Sequence, residues 1–231
     1  MENFLDLIKE LFTNENYLNS IFRGLSMTVQ IAFAAIIIGL ILGTIVALIE
    51  IAKPSPWLAV PKFLCRLYTT VIRGTPMALQ LFIMFYIIFA IRNFPEIITA
   101  ILAFGINSGA YVSENIRAGF LSVDKGQTEA GLALGLPRRT ILRKIVAPQA
   151  IKNCIPSIGN EIIALIKETS IVSMIGMFDL TMAAKDIGSG KNMANYLVPM
   201  SAAALFYLIL VRIIMLIVKK IETRLRQSDL N

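Results

Sequence analysis

The stretch MTVQIAFAAIIIGLILGTIVALI, Met27 to Ile49, decides the fold: only threonine, glutamine and glycine interrupt its apolar side chains. At about 1.5 Å rise per residue, a helix of that length reaches about 30 Å, the thickness of a bilayer's hydrocarbon core. The rest of the chain agrees. Hydrophobic residues make up 56%, charged residues only 16%, and the mean hydropathy is +0.72. Soluble domains carry about 25% charge, so the solvent this chain is built for is lipid. The 231 residues leave room for about five or six spans of ~20 residues and no separate soluble domain.

Outward from that run, the pattern predicts an all-α integral membrane protein of about five transmembrane helices. The expected spans are about 26–50, 63–91, 96–121, 151–176 and 196–218. The second needs the polar approach "FLCRLYTTVIRGTP" to reach across, and Gly74 and Pro76 predict a kink in it. Residues 1–20 lack a basic run ahead of a short apolar core, so they do not read as a cleaved signal peptide. Phe4, Leu5, Ile8, Leu11 and Phe12 recur at helical spacing and predict an amphipathic helix at the membrane surface. A polar loop is expected over about 179–195.

Net charge is +7, and in a membrane protein its sidedness matters more than its sum. With the N-terminus outside, fourteen lysines and arginines fall in the cytoplasmic segments. Five, Lys9, Arg23, Arg92, Lys185 and Lys191, fall outside. That asymmetry predicts a cytoplasmic C-terminus and puts residues 122–150 in the cytoplasm. Cys65 and Cys154 have no metal-ligand spacing and there is no histidine, so no metal site is expected. No nucleotide-binding Gly-Lys-Ser/Thr loop and no Gly-x-Ser-x-Gly elbow occurs, so the chain does not read as an enzyme.

The segment EAGLALGLPRRTILRKIVAP, Glu129 to Pro148, is polar where its surroundings are apolar. Gln127 to Leu134 suits a short helix, Gly135 the left-handed position after it, and Pro137 the first turn of a second helix. That second helix carries Ile141, Leu142, Ile145 and Val146 on one face and is expected to end at Pro148. Tethered to a span at either end, it has no way into a DNA groove. It is left to lie on anionic lipid or to dock a cytoplasmic partner.

Glu129, Ala130, Gly131, Gly135, Ile145 and Pro148 resemble the EAA loop of binding-protein-dependent ABC importer permeases. Glycine replaces the usual second alanine at 131, and Ala147 stands where leucine is common. Further segments, "VIRGTPMALQL", "INSGAYVSENIRAGF", "APQAIKNCIPSIGNEIIALIKETSIVSMIGMFDL" and "IETRLR", are similar to the polar amino acid subfamily, so the resemblance covers about residues 20–226. It implies a type I importer fold in which two permease subunits, identical or paralogous, sit on two ATPase subunits and receive an amino acid from an external binding protein. ATP and magnesium would be bound by the ATPase, with no cofactor in this chain. Glu129, Ala130, Gly131, Gly135, Leu136, Arg138 and Arg139 would form the coupling segment.

Charges inside spans are costly and tend to line pathways or pair with one another. Glu114, Glu161, Lys167, Thr169, Ser170 and Arg73 are the pathway candidates, and Glu168 and Arg117 the expected structural or gating charges. Both signs of charge suit an amino acid, which carries an ammonium and a carboxylate. A channel or secondary transporter using the same charges without ATP is the alternative that the residues alone leave open.

Overall fold

The computed structural model describes residues 4–190 and 195–227, and they are all-helical. Lys191 lies outside the described residues, as do the side chains of Phe4, Leu5 and Arg226. Ten α-helices follow in order: α1 Phe4–Thr13, α2 Glu15–Ile51, α3 Pro56–Arg73, α4 Met77–Ile83, α5 Glu96–Leu121, α6 Lys125–Ala133, α7 Arg138–Ile141, α8 Ala147–Glu168, α9 Leu180–Ser189 and α10 Leu197–Gln227. α4 runs on into a π-helical turn, Met84–Ile88, and α7 into another, Leu142–Val146. α8 tightens into a 3-10 stretch, Thr169–Ile175.

Among the described residues, α2, α5 and α10 are long and apolar enough to cross a membrane. α3 and α4 with its π turn make a fourth candidate only as a bent pair, broken where Gly74 and Pro76 stand. The expected span over 151–176 is the one that composition does not single out. α8 has 22 residues but carries Lys152, Asn153, Asn160, Glu161, Lys167 and Glu168.

Contacts divide the chain into two compact units, and α2, α5, α8 and α10 each contribute one part to each unit. Among the described residues the first unit comprises 4–36, 76–105, 163–190 and 195–213. Its core joins Leu7 and Leu11 of α1 to Ile21, Leu180, Ala184, Ile187, Val198, Ala202 and Ala203. Leu7 and Leu11 of α1 are therefore packed on protein, while Phe12 is exposed.

The expected polar loop over 179–195 contains α9. Asp179 caps it, accepting from the N–H groups of Thr181 at 3.0 Å and Met182 at 2.9 Å, and Leu180, Ala183, Ala184 and Ile187 bury one helical face. Asp179 is fully buried. It also accepts from the Tyr207 hydroxyl at 3.3 Å, while the Leu180 N–H donates to Thr28 Oγ1 at 3.2 Å. Burial pushes the Asp179 carboxyl above its usual range, against the pull of the capping N–H groups.

Among the described residues the second unit comprises 37–75, 106–162 and 214–227. Here α2 and α5 approach so closely that small residues are required. A Cβ at Gly43 would lie 2.7 Å from the Gly109 carbonyl oxygen and from Val112 Cβ. With no hydrophobic drive between helices in lipid, such backbone approach is how membrane helices gain packing energy. The Tyr68 hydroxyl of α3 braces α5 by donating to the Ile106 carbonyl at 2.5 Å. Lys62 Nζ donates to the Glu50 carbonyl at 3.1 Å and to the Ala52 carbonyl, placing a cation on the carbonyl end of α2.

Pro148 does not end the helix that starts at Arg138. The π turn over 142–146 precedes it, and Pro148 sits in the first turn of α8, so helical backbone continues from 138 to 175. A proline ring is tolerated at the start of a helical stretch, where its missing N–H costs least.

Candidate functional site

Two constellations lie in the second unit. The first is a cavity of about 670 Å³ lined by Glu50, Arg66, Thr69, Thr70, Arg73, Gly74, Glu114 and Arg117. α2 supplies Glu50 at its last turn, α3 supplies Arg66 to Arg73, and α5 supplies Glu114 and Arg117 one turn apart. Arg66, Thr70 and Arg73 share a face of α3, being four and three residues apart.

Glu114 is the hub. It accepts from Arg117 through Nη2 at 2.8 Å and Nε at 3.3 Å, and Arg73 Nη1 lies 3.6 Å away. Arg117 Nε also comes within 4.0 Å of Glu50, whose side chain is only 8% exposed. Arg73 lies over the Tyr111 ring, 5.5 Å from its centroid. Fixed guanidinium and carboxylate groups around a cavity of this size give a charged solute both signs of partner without reorganising the wall.

Of the residues singled out in the sequence, the structure brings Arg73, Glu114 and Arg117 together here. Glu161, half-buried on α8, makes a polar interaction of its own, and Lys167 is exposed at the end of α8; neither lines this cavity. Thr169 is fully buried and its hydroxyl donates to the Ile166 carbonyl at 2.7 Å, while Ser170 donates to the Lys167 carbonyl at 2.8 Å. Glu50 and Arg66 were not singled out. The signals available were an acid ending the 23-residue apolar run, and an arginine on the same helical face as Thr70 and Arg73.

The second constellation is α6 and the turn that follows. Asp124 starts α6 by accepting from the Gly126 N–H at 2.7 Å. Gly135 ends it with φ +73°, the Leu136 N–H bonding the Gly131 carbonyl at 3.0 Å and the Gly135 N–H the Leu132 carbonyl at 2.9 Å. This doubly bonded left-handed stop satisfies two of the carbonyls a helix end leaves open. Gly131 is buried beneath Ile141 of α7: a Cβ there would lie 2.8 Å from Ile141 Cγ1. The glycine at 131 thus seats the two short helices against each other. Glu129, Ala130, Arg138 and Arg139 are exposed, as is Leu134 at 78%. The result is a stiff turn presenting an apolar tip flanked by an acid and two bases.

Comparison with known proteins places the chain. Residues 39–227 match the family described as the binding-protein-dependent transport system inner membrane component. The chain is 41% identical over 211 residues to the arginine transport system permease protein ArtQ of Bacillus subtilis (strain 168), covering 90% of this chain and 94% of that one. It is 40% identical over 208 residues to the putative glutamine transport system permease protein GlnP of Rickettsia typhi, covering 89% and 92%. A crystal structure of an amino acid ABC transporter with histidines matches with a TM-score of 0.83 at 35% identity, over 97% of this chain and 99% of that one. This chain belongs to the family of binding-protein-dependent transport system inner membrane components.

Proposed function

We propose that the charged cavity is part of the route by which an amino acid crosses the membrane, with Glu114 and Arg73 meeting the solute. We also propose that α6 and its glycine stop are the surface on which an ATPase acts. The chain is the permease subunit of an amino acid ABC importer, a multi-pass protein of the inner, cytoplasmic membrane. Membership of a binding-protein-dependent family implies an ATPase and a binding protein as partners, and the permeases themselves have no ATPase activity.

The observation that carries the pathway reading is the cavity: five charged side chains around one space, on α2 and α5, which are apolar enough to span lipid, and on α3 of the bent pair. Each such charge is costly within a bilayer, on the order of a few kcal/mol, unless it is paired or meets water or solute. The curated relatives are named as an arginine, a putative glutamine and, in TcyB of Bacillus subtilis, an L-cystine transport system permease. These solutes share only their ammonium and carboxylate ends, which a wall of mixed charge suits. Glu161 and Lys167 keep a proposed place along the route. Thr169 and Ser170 would join it by giving up bonds to carbonyls one turn back.

With the N-terminus outside and the C-terminus cytoplasmic, Glu129, Ala130, Gly131, Gly135, Leu136, Arg138 and Arg139 face the ATPase, which holds ATP and magnesium. A second permease subunit, identical or paralogous, completes the pathway, and lipid covers the remaining apolar faces. ATP on one side and the loaded binding protein on the other bias a two-state change in access. In proteoliposomes holding every subunit, Glu114→Gln is expected to cut ATP-driven uptake of arginine or glutamine on the order of tenfold, equivalent to about 1.4 kcal/mol. Uptake at the wild-type rate with unchanged selectivity would count against the pathway.

A further inference from the structure

The charges around the cavity do not balance. Arg66, Arg73 and Arg117 line it against only Glu50 and Glu114. Glu114 is shared by Arg117 and Arg73, and Arg117 extends to Glu50 at 4.0 Å. Among the described residues, no hydrogen bond or ion pair reaches the Arg66 guanidinium. Glu50 is nearly as poorly served. Its side chain is 8% exposed, and its ion-pair partner stands at the outer limit of such a contact.

We infer that Arg66 receives the α-carboxylate of the amino acid that occupies this cavity, with the Thr70 hydroxyl one turn along α3 as a second donor, and that Glu50 receives the α-ammonium. This rests on the reading of the cavity as part of the pathway. Glu114, Arg117 and Arg73 are already paired with one another, so they can touch the solute as it passes but are not left to hold its two charged ends. Arg66, which is exposed, and Glu50, whose side chain is 8% exposed, are the lining charges that the Glu114 group does not engage closely, one cation and one anion, and an amino acid brings one of each. A guanidinium presents a planar fork that matches a carboxylate with two parallel N–H bonds, which an ammonium in its place would not do. Burying a carboxylate such as Glu50 is tolerable only when a cation closes on it, and the cavity opens the side on which one can arrive.

Recognition of this kind reads the two ends common to every amino acid and ignores the side chain. The cavity should therefore accept several amino acids weakly and reject a ligand whose carboxylate is masked.

The test uses the transporter assembled with its ATPase, nucleotide-free and without binding protein, in nanodiscs. Radiolabelled L-arginine, L-glutamine and L-cystine are the probes, and the α-amide of whichever binds is the competitor. Saturable binding of at least one is expected in the wild type. Arg66→Ala should lower its affinity at least tenfold, Arg66→Lys should retain part of it, and the α-amide should compete at least tenfold less well than the parent acid. The α-amide should also bind equally poorly to wild type and Arg66→Ala, a signature that a merely structural arginine would not produce.

Co-purification with the ATPase checks that each variant folds, and Arg66→Lys carries the test should Arg66→Ala fail to assemble. Wild-type affinity in Arg66→Ala, equal competition by acid and amide, or no binding of any probe would each overturn the assignment. Unchanged binding in Arg66→Ala alongside strongly reduced uptake in Glu114→Gln would overturn it and leave the pathway standing. No loss in either would overturn both.

Discussion

Replacing Gly135 separates the shape of the turn after α6 from the space around it. The residue has φ +73°, and a Cβ built there meets nothing within 4 Å. Within this chain nothing obstructs a Cβ there, so the strain expected of a substitution is in the backbone. An L-residue in the left-handed region costs about 1–2 kcal/mol, asparagine is tolerated there better than most, and a β-branched residue is worst placed. If the turn must hold its shape to transmit force, each 1.4 kcal/mol makes it about tenfold rarer.

Gly135→Asn should then stay within about twofold of wild type in uptake per ATP hydrolysed. Gly135→Ala should fall several-fold, and Gly135→Val, at ~2 kcal/mol, on the order of thirtyfold. The assay is paired measurement of solute uptake and phosphate release in proteoliposomes, with membrane insertion checked by protease protection. Wild-type coupling in Gly135→Val would refute the reasoning. So would an asparagine variant as impaired as the valine one, because that would point to a side-chain contact that the open surroundings of Gly135 do not provide.

Gly131→Ala sets two effects against each other. Alanine favours the helix by about 1 kcal/mol over glycine, but its Cβ would press on Ile141 at 2.8 Å, and overpacking a buried residue costs about 1–3 kcal/mol. A net loss of about 1 kcal/mol in the thermal unfolding of the complex is expected, relieved in the double variant with Ile141→Ala; strictly additive effects would argue against the contact. Asp179→Ala strips the cap from α9 and removes the carboxylate that accepts from the Tyr207 hydroxyl. It should destabilise by about 2 kcal/mol or more, read as a lowered melting temperature. Because burial raises the folded pKa of Asp179, its contribution to stability is fullest below the unfolded value of 3.8 and shrinks as pH rises through the folded value. The stability gap between wild type and Asp179→Ala should accordingly widen as the medium is acidified from neutral pH, and a gap that narrowed would contradict the assignment.

What could be read from the sequence depended on whether the signal was local. The α2 run is legible because lipid demands an unbroken apolar length, and the stop at Gly135 because one residue type suits its φ. Glu114 and Arg117 stand three apart, so their pairing follows from helical geometry. Glu50 and Arg66 are legible only in hindsight: their place beside Glu114 around one cavity depends on how α2, α3 and α5 pack, which spacing along the chain does not encode. α9 was missed although Asp179 and the spacing of Leu180, Ala183, Ala184 and Ile187 marked it. Thr181, Lys185, Asp186 and the following "GSGKN" made the stretch look like solvent-exposed loop. Pro148 misled in the other direction, since a proline reads as a stop unless the backbone before it has already released its hydrogen bond.

The π turn over Leu142–Val146 sets the phase between α7 and α8. One more residue per turn rotates everything downstream by roughly 100° relative to an unbroken α-helix. Ahead of the turn, Ile141 points at Gly131; beyond it, Ala150 and Cys154 meet Gly119 of α5. Removing one residue from 142–146 would restore a regular helix and turn one of those two faces away from its partner. The extra residue is thus a gear tooth: it lets a single continuous rod engage one neighbour at its tip and another along its shaft.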